Sequence, residues 1–383
     1  MEKENKIPVF ERPWEKNTNS IWLATTVCLH RNINKFNFPQ RLDHEKRRLV
    51  SDMIEGILQK AKSFSGVNIF HADQMAPVDR DFLSEHFLVF ETARNSRQGR
   101  TFITDDQGST LVLINALDHI ELHTVELEQK LEKALEKLVA IENDVEEQVP
   151  FAFSNQFGYL SSDPARCGTG LVVNAYVHVP ALVYLNKLKN WDLDESRELS
   201  LTSKTNSSAC LGIDQSNRSP LVFPGESQEG LIFTSLQGNL DDPVGDLLIV
   251  RNRWTLGVKE ETILSSVRSA ALNLVSEEKR AREKIKNEHD EYFVDCISRA
   301  IGTLQHSFAM DTSEALRTIS LVKFGVELGW VKGVPVEDVN ELFFDCRRAH
   351  LARRAKIEVY SRPELNKERA QYLRKIFSQA KIE

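Results

Sequence analysis

A chain of 383 residues has room for two or three domains with full cores. With 41% hydrophobic and 27% charged residues, 17 glycines and 12 prolines, it is neither collagenous, low-complexity nor wholly disordered. Lys+Arg 49 against Asp+Glu 56 leaves a net charge of −7, so the surface as a whole repels nucleic acid and anionic lipid, and neither is expected as a partner.

Six short stretches before residue 260 carry strand patterns: Ile21 to Leu29, Thr101 to Thr104, Ser109 to Leu117, Leu171 to Val179, Leu231 to Ser235 and Asp246 to Asn252. Helical periodicity is expected between them, over Arg48 to Phe64 and over the charged Leu122 to Gln148, where Leu127, Leu131, Leu135 and Leu138 recur three and four apart. Residues 200–228 are rich in Ser, Thr, Asn, Gly and Pro without a sustained period and predict a long mobile surface loop. From Lys259 onward the pattern turns to charged helices: Glu260 to Asn287, Tyr292 to Thr303, Asp311 to Leu328 and Val336 to Arg353. The texture therefore predicts a sheet-forming domain over 1–260 and a helical one over 261–383.

The longest apolar runs, Leu111 to Leu117 and Leu171 to Leu185, are too short or too interrupted to span a bilayer. The charged opening Met1-Glu2-Lys3-Glu4-Asn5-Lys6 lacks the apolar core of a secretory leader. Five scattered cysteines, Cys28, Cys167, Cys210, Cys296 and Cys346, form no C-x-x-C pair, which fits reduced thiols in a cytoplasmic protein and no zinc site. The motifs of P-loop nucleotide binders, dinucleotide folds and H-E-x-x-H zinc enzymes are absent. His119 and His123 stand four apart but on a segment leaving a strand, so no metal is expected there. The charge run from Glu277 to Lys284 reads as a solvated helix face.

One motif stands apart. In Gly158-Tyr159-Leu160 followed by Gly168-Thr169-Gly170-Leu171, two glycines flank a threonine before a strand, a turn whose backbone can approach a ligand closely. Together with Val179-Pro180-Ala181-Leu182, Arg31-Asn32, Phe38-Pro39, Arg41-Leu42, Asn115, Asp118-His119, Gly245, Asn252 and Thr255-Leu256-Gly257, it resembles the guanidino (phosphagen) kinases. The most similar branch is that of the bacterial protein-arginine kinases. Glu278 to Glu283, Gly325-Val326-Glu327-Leu328-Gly329 and Val331-Lys332-Gly333 resemble the helical C-terminal domain of that branch. The resemblance implies an α+β catalytic-type domain, with a mostly antiparallel sheet flanked by helices, followed by an all-helical domain.

A guanidino kinase moves the γ-phosphoryl of ATP to a guanidinium nitrogen. It relies on arginines to neutralise phosphate and on glutamates to orient the guanidinium and take its proton. Aligned on Arg31-Asn32, the family's S-[ST]-R-x-R places its two arginines on Thr26 and Cys28. In N-E-E-D-H-x-R the glutamates become Ala116 and Leu117, and the arginine becomes Glu121. The reactive cysteine falls on Asp163, an asparagine on Arg166, the arginine after G-T-G-L on Val172, and the R-G-x-x-G-E turn loses its arginine to Thr234 and its glutamate to Asn239. Each missing clamp would cost on the order of 10²–10³ in rate, by analogy with single oxyanion donors.

The alignment therefore implies no retained catalytic residue, a degenerate nucleotide site and no expected cofactor. ATP and magnesium enter only under the alternative of an active kinase with a rearranged site, built on Arg31, Arg166, Arg251 and Arg253 with Asp118, Glu121 or Asp163 as base. A third reading is a phospho-arginine or nucleotide sensor, with a residual pocket formed by Arg31, Asp118, His119, Arg166, Gly168, Thr169 and Gly170. Alternatively, the retained glycines, Asp118 and His119 shape turns and satisfy buried hydrogen bonds. The branch's phospho-arginine-reading motif R-D-x-x-R-A meets Asn366-Lys367 and, one residue early, Arg369-Ala370, in a basic tail expected to be a solvated helix. By resemblance, partners would be an activator protein, a Clp-type chaperone or a stress repressor, and the chain could form a homodimer.

Overall fold

The computed structural model describes Trp14 and residues 17–64, 66–89, 99–185, 230–236, 243–288 and 291–383. The expected loop at 200–228 and Asn239 lie outside these residues.

The sheet has eight strands. In chain order they are β1 (Trp22–Arg31), β2 (Asn68–His71), β3 (Thr101–Thr104), β4 (Thr110–Ile114), β5 (Ile120–Glu126), β8 (Leu171–His178), β9 (Leu231–Ser235) and β10 (Leu247–Asn252). Their spatial order is β2-β3-β4-β5-β1-β8-β10-β9, and every neighbouring pair is antiparallel. Two further short strands, β6 (Phe153–Ser154) and β7 (Gly158–Tyr159), form a separate hairpin before the glycine motif.

Along β1 all ten residues are buried, so this central strand is covered on both faces. One face carries Leu23, Thr25, Val27, Leu29 and Arg31 and meets α3 (Leu131–Glu146), whose Leu131, Leu135, Leu138 and Ile141 supply the buried helical stripe. The helix α1 (His44–Leu58) packs on α3 and starts where Asp43 accepts a hydrogen bond from the Lys46 amide at 2.8 Å.

The helix expected over Leu122 to Gln148 is corrected at its start. Residues Ile120–Glu126 are strand β5, paired on both sides with β1 and β4, and the helix begins only at Leu131. Ile120 and Leu122 are apolar and Glu121 and His123 polar, a period of two that the run of leucines further on hides. The helix α2 (Pro77–His86), unmarked in the sequence reading, starts with proline at its first turn.

A short helix, α4 (Pro180–Tyr184), follows β8, and after β10 the chain is helical. It forms α5 (Glu260–Glu288), α6 (Glu291–His306), α7 (Thr312–Leu328), α8 (Val336–Asp345), α9 (Arg348–Arg354) and α10 (Arg362–Ile376), with a two-residue strand pair, β11 (Val331–Lys332) and β12 (Lys381–Ile382). The single helix expected over Val336 to Arg353 is two, separated at Cys346 and Arg347. α5 lies on β8 and β10, and its Leu264, Val267, Ala271 and Leu274 join the same apolar core as β1 and β8. In α10 Arg369 is buried, donating to the carbonyls of Cys346 (2.9 Å) and Met310 (2.8 Å), so this part of the basic tail is an internal strut. Among the described residues no helix is long and apolar enough to cross a membrane.

Candidate functional site

Cross-strand register decides which residues share a face. Cys28 lies opposite His123 on β5 and Val172 on β8; Thr26 lies opposite Asn174; Asn174 lies opposite Arg251; and Ile249 lies opposite Thr234. Because side chains alternate along a strand, Thr26, Cys28, His30, Glu121, His123, Val172, Asn174, Arg251 and Thr234 all project from the face opposite α3. Five positions assigned from sequence to lost arginines, Thr26, Cys28, Glu121, Val172 and Thr234, thus fall on one surface, although they come from four strands.

That surface is tied into internal contacts. Thr26 accepts a hydrogen bond from Asn174 Nδ2 at 2.9 Å, and Val172 is buried. Cys28 Sγ lies 3.3 Å from His30 Nε2 and 3.6 Å from His123 Nε2. His123 Nε2 is 3.3 Å from Glu121 Oε2, and His30 Nδ1 is 3.3 Å from Asp118 Oδ2. Arg166 closes the group, with Nη1 3.1 Å from His30 Nε2 and Nε 3.3 Å from Asp163 Oδ2. Cys28, His30, Asp118, Glu121, His123 and Arg166 are all buried.

Their mutual charges set their protonation. Burial opposes ionisation of Cys28, but the charges and hydrogen bonds of His123 and His30 outweigh it and bring the thiol down to about 7. Burial likewise opposes charge on both histidines. The Cys28 charge and the Asp118 hydrogen bond nevertheless raise His30, while Cys28 and Glu121 raise His123. Burial disfavours charge on Asp118 and Glu121 too, yet hydrogen bonds from His30 and His123 respectively hold both well below the usual carboxylate range. Both carboxylates thus favour protonated imidazoles beside Cys28, and these in turn favour ionisation of the thiol near neutral pH.

Asp118 also shapes the backbone. It accepts from Asn32 Nδ2 (2.7 Å), Ser161 Oγ (2.7 Å) and the Ser162 amide (2.8 Å), fastening the turn before β5 to the glycine motif. Beside it, His119 Nδ1 accepts from the Ile33 amide at 3.1 Å, and burial pushes its imidazole down to about 4, against the pull of Asp118. His119 therefore stays neutral in the turn while His123 faces Cys28, so the two histidines have separate surroundings. Ala116 is buried in a small apolar cluster with Phe82 and Leu111. The Leu117 amide donates to Glu121 Oε1 at 2.9 Å.

The Gly-Thr-Gly turn is a backbone junction. Gly168 exchanges hydrogen bonds with Tyr159 at 2.9 and 3.0 Å, and Thr169 N donates to the Thr255 carbonyl at 3.3 Å. Gly168 has φ +108, and a Cβ there would stand 2.3 Å from the Thr255 oxygen, so glycine is obligatory. Arg31, expected in a residual pocket, sits on the other face of the sheet. Its Nε meets Glu142 Oε1 at 2.6 Å, Nη1 donates to the carbonyls of His30 and Thr169 at 2.8 Å each, and the guanidinium lies 3.6 Å from the centre of the Tyr159 ring. Arg31 is an anchor for the turn. Of the arginines proposed for a rearranged site, Arg251 is on the Cys28 face beside Asn174, whereas Arg253 lies 5.2 Å over Trp254.

The sequence reading missed the Cys28 cluster. Cys28 entered it as a scattered cysteine and a substituted arginine, Glu121 as a substituted arginine and a candidate base, His123 as half of a histidine pair, and His30 not at all. The signal available was the alternation Cys28-Leu29-His30 and Glu121-Leu122-His123, which acquires meaning only when the two strands are known to pair.

Comparison with known proteins places this arrangement in a class. Residues 49–205 match the family model described as "ATP:guanido phosphotransferase, C-terminal catalytic domain", and residues 290–383 that described as "Protein-arginine kinase McsB C-terminal domain". A duplicated taurocyamine kinase from Schistosoma mansoni, 16% identical, superposes with a TM-score of 0.53 over 82% of this chain and 43% of its own, which establishes the guanidino-kinase fold. The chain belongs to the protein-arginine kinase branch of the ATP:guanido phosphotransferase family. It is 33% identical to the protein-arginine kinase of Chlamydia muridarum over 331 residues, covering 86% of this chain and 83% of the relative. It is 29% identical to that of Chlamydia pneumoniae over 335 residues, covering 87% and 84%.

Proposed function

We propose that this member of the protein-arginine kinase branch has lost phosphoryl transfer and acts as a pseudokinase, a scaffold or regulator in cytoplasmic protein quality control. One observation carries the reading. The side chains aligned with the family's phosphate-binding arginines are Thr26, Cys28, Glu121, Val172 and Thr234, and four of these five are buried within the fold. Cys28 and Glu121 are bound up with His30 and His123, and Thr26 with Asn174.

A transferring phosphoryl group carries negative charge that must be neutralised where it develops. In the Cys28 cluster His30 faces Asp118, His123 faces Glu121 and Arg166 faces Asp163, so these cations are already committed to internal partners. Glu121 in an arginine position adds repulsion. The glutamates that would accept the guanidinium proton align with Ala116 and Leu117, neither of which can hold a proton. The residues present do not fit an ATP-magnesium complex, and the partner-facing role rests on the retained fold and on the branch's implied partners.

The test is isothermal titration of the full chain with ATP, with and without magnesium, alongside transfer of labelled γ-phosphoryl to an arginine-rich protein. The expected result is no heat at millimolar ATP and no labelled arginine. ATP-dependent arginine phosphorylation that disappears in Arg166→Ala would overturn the proposal in favour of an active kinase with a rearranged site. ATP binding without transfer would favour a nucleotide sensor.

A further inference from the structure

We propose that Cys28 and its two histidines form a thiol site that reacts with hydroperoxides, a chemistry distinct from phosphoryl transfer. The argument starts from geometry. On β1, Cys28 and His30 are two apart and share a face, and His123 on β5 is the cross-strand partner of Cys28. The sulfur therefore has an imidazole nitrogen on each side, at 3.3 and 3.6 Å. Each imidazole is oriented by a carboxylate at 3.3 Å, His30 by Asp118 and His123 by Glu121. A nucleophile within reach of a base that is itself held by a third group is the arrangement of activated cysteines.

The surroundings select the reagent. Cys28 is 4% exposed, which excludes bulky reagents from the sulfur and favours a small one. The groups on its face are His30 from its own strand, Glu121 and His123 from β5, Asn174 from β8, Arg251 of β10 beyond Asn174, and Arg166 with Asp118 from the loops. The imidazoles are already held by Asp118 and Glu121, and a neutral peroxide needs no further counter-charge there. The thiolate attacks one peroxide oxygen, so an S–O bond forms as the O–O bond breaks. Sulfur is oxidised by two electrons to the sulfenic acid, the peroxide is reduced, and the departing alkoxide or hydroxide takes a proton from the His30 imidazolium to leave as alcohol or water.

Hydrogen peroxide is the probe. The folded chain is oxidised for timed intervals, then unfolded in guanidinium containing dimedone, which traps sulfenic acids irrespective of burial, and each cysteine is read by peptide mass mapping. At pH 6.5 a thiol of about 7 is roughly a quarter ionised, against about 1% for an ordinary cysteine. After allowing for the lower nucleophilicity of a more acidic thiol, Cys28 should oxidise roughly fivefold faster than an unperturbed thiol. It should outpace Cys346, which burial pushes up to about 12, by more than about a hundredfold.

His30→Gln and His123→Gln, each checked for a native circular dichroism spectrum, should slow Cys28 oxidation at pH 6.5 by roughly three- to fivefold and lose most of that difference at pH 10, where the thiol ionises unaided. A Cys28 no faster than Cys346 in the wild-type chain would overturn the proposal. So would a wild-type rate that keeps climbing to pH 9 without a plateau, a reading that needs no variant to fold.

Discussion

Replacing Arg31 by methionine tests whether this arginine anchors the fold or waits for an anion. The side chain is 1% exposed and spends its donors on Glu142 Oε1 at 2.6 Å and on the carbonyls of His30 and Thr169 at 2.8 Å each. Removing one partner of a buried ion pair costs about 3–5 kcal/mol, because the other charge stays behind unpaired, and each carbonyl left without a donor adds about 1 kcal/mol. Methionine keeps part of the packing against Tyr159, so no large packing loss is added and the expected loss is about 5 kcal/mol or more. Urea unfolding followed by tryptophan fluorescence measures it, read as a change in midpoint at constant slope. The double variant Arg31→Met with Glu142→Leu removes both charges and should recover to about 2 kcal/mol below wild type, the part owed to the two carbonyls, because an apolar pair of similar volume replaces an ion pair nearly neutrally. A single-variant loss below about 1 kcal/mol, the range of surface pairs, would refute the anchoring argument.

Three further outcomes follow from the same geometry. Gly168→Ala should cost more than about 2 kcal/mol in urea unfolding, since the new Cβ would meet the Thr255 oxygen at 2.3 Å and φ is +108; a loss under 0.5 kcal/mol would contradict the packing of the turn. His119 has its folded value depressed to about 4 from an ordinary 6.5, so the unfolded chain binds more protons between these limits. Its contribution is then present above pH 6.5 and lost as pH falls toward 4, about 3 kcal/mol in all, and His119→Gln should flatten the urea-midpoint profile across that window while leaving it unchanged above pH 7. Asp118→Asn should lower the His30 titration by at least about one unit in nuclear magnetic resonance, because it removes the carboxylate at 3.3 Å; an unmoved His30 would place the source of its raised value elsewhere.

Local patterns were legible where they were long. The strands over Thr101–Thr104 and Leu231–Ser235 and the helices α5, α6 and α7 follow from periodicity close to their observed limits, because each buries one face against the core. Periodicity failed at Leu122–Glu126, where a strand leads into a helix after four residues, so the leucines of α3 extended the helical reading backward into β5. It also failed at the tail: Arg369 looks like one more charge on a basic helix, and only the proximity of the Cys346 and Met310 carbonyls makes it internal.

By itself, the sequence determined the family, since motif spacing survives in a linear string: Gly168-Thr169-Gly170, Asn115 and Asp118-His119 keep their order, and the resemblance is what assigns Thr26, Cys28, Ala116, Leu117 and Glu121 to positions of charged side chains. Only tertiary structure decided what the residues at those positions build. Cys28 and His123 are 95 residues apart, and their meeting depends on a strand register that no local pattern encodes. Arg31 and His30 are neighbours in sequence but project from opposite faces of β1, one toward Glu142 and the other toward Cys28. The physical reason is the same in both cases: alternation assigns a side chain to a face, and pairing between distant strands assigns that face its chemistry.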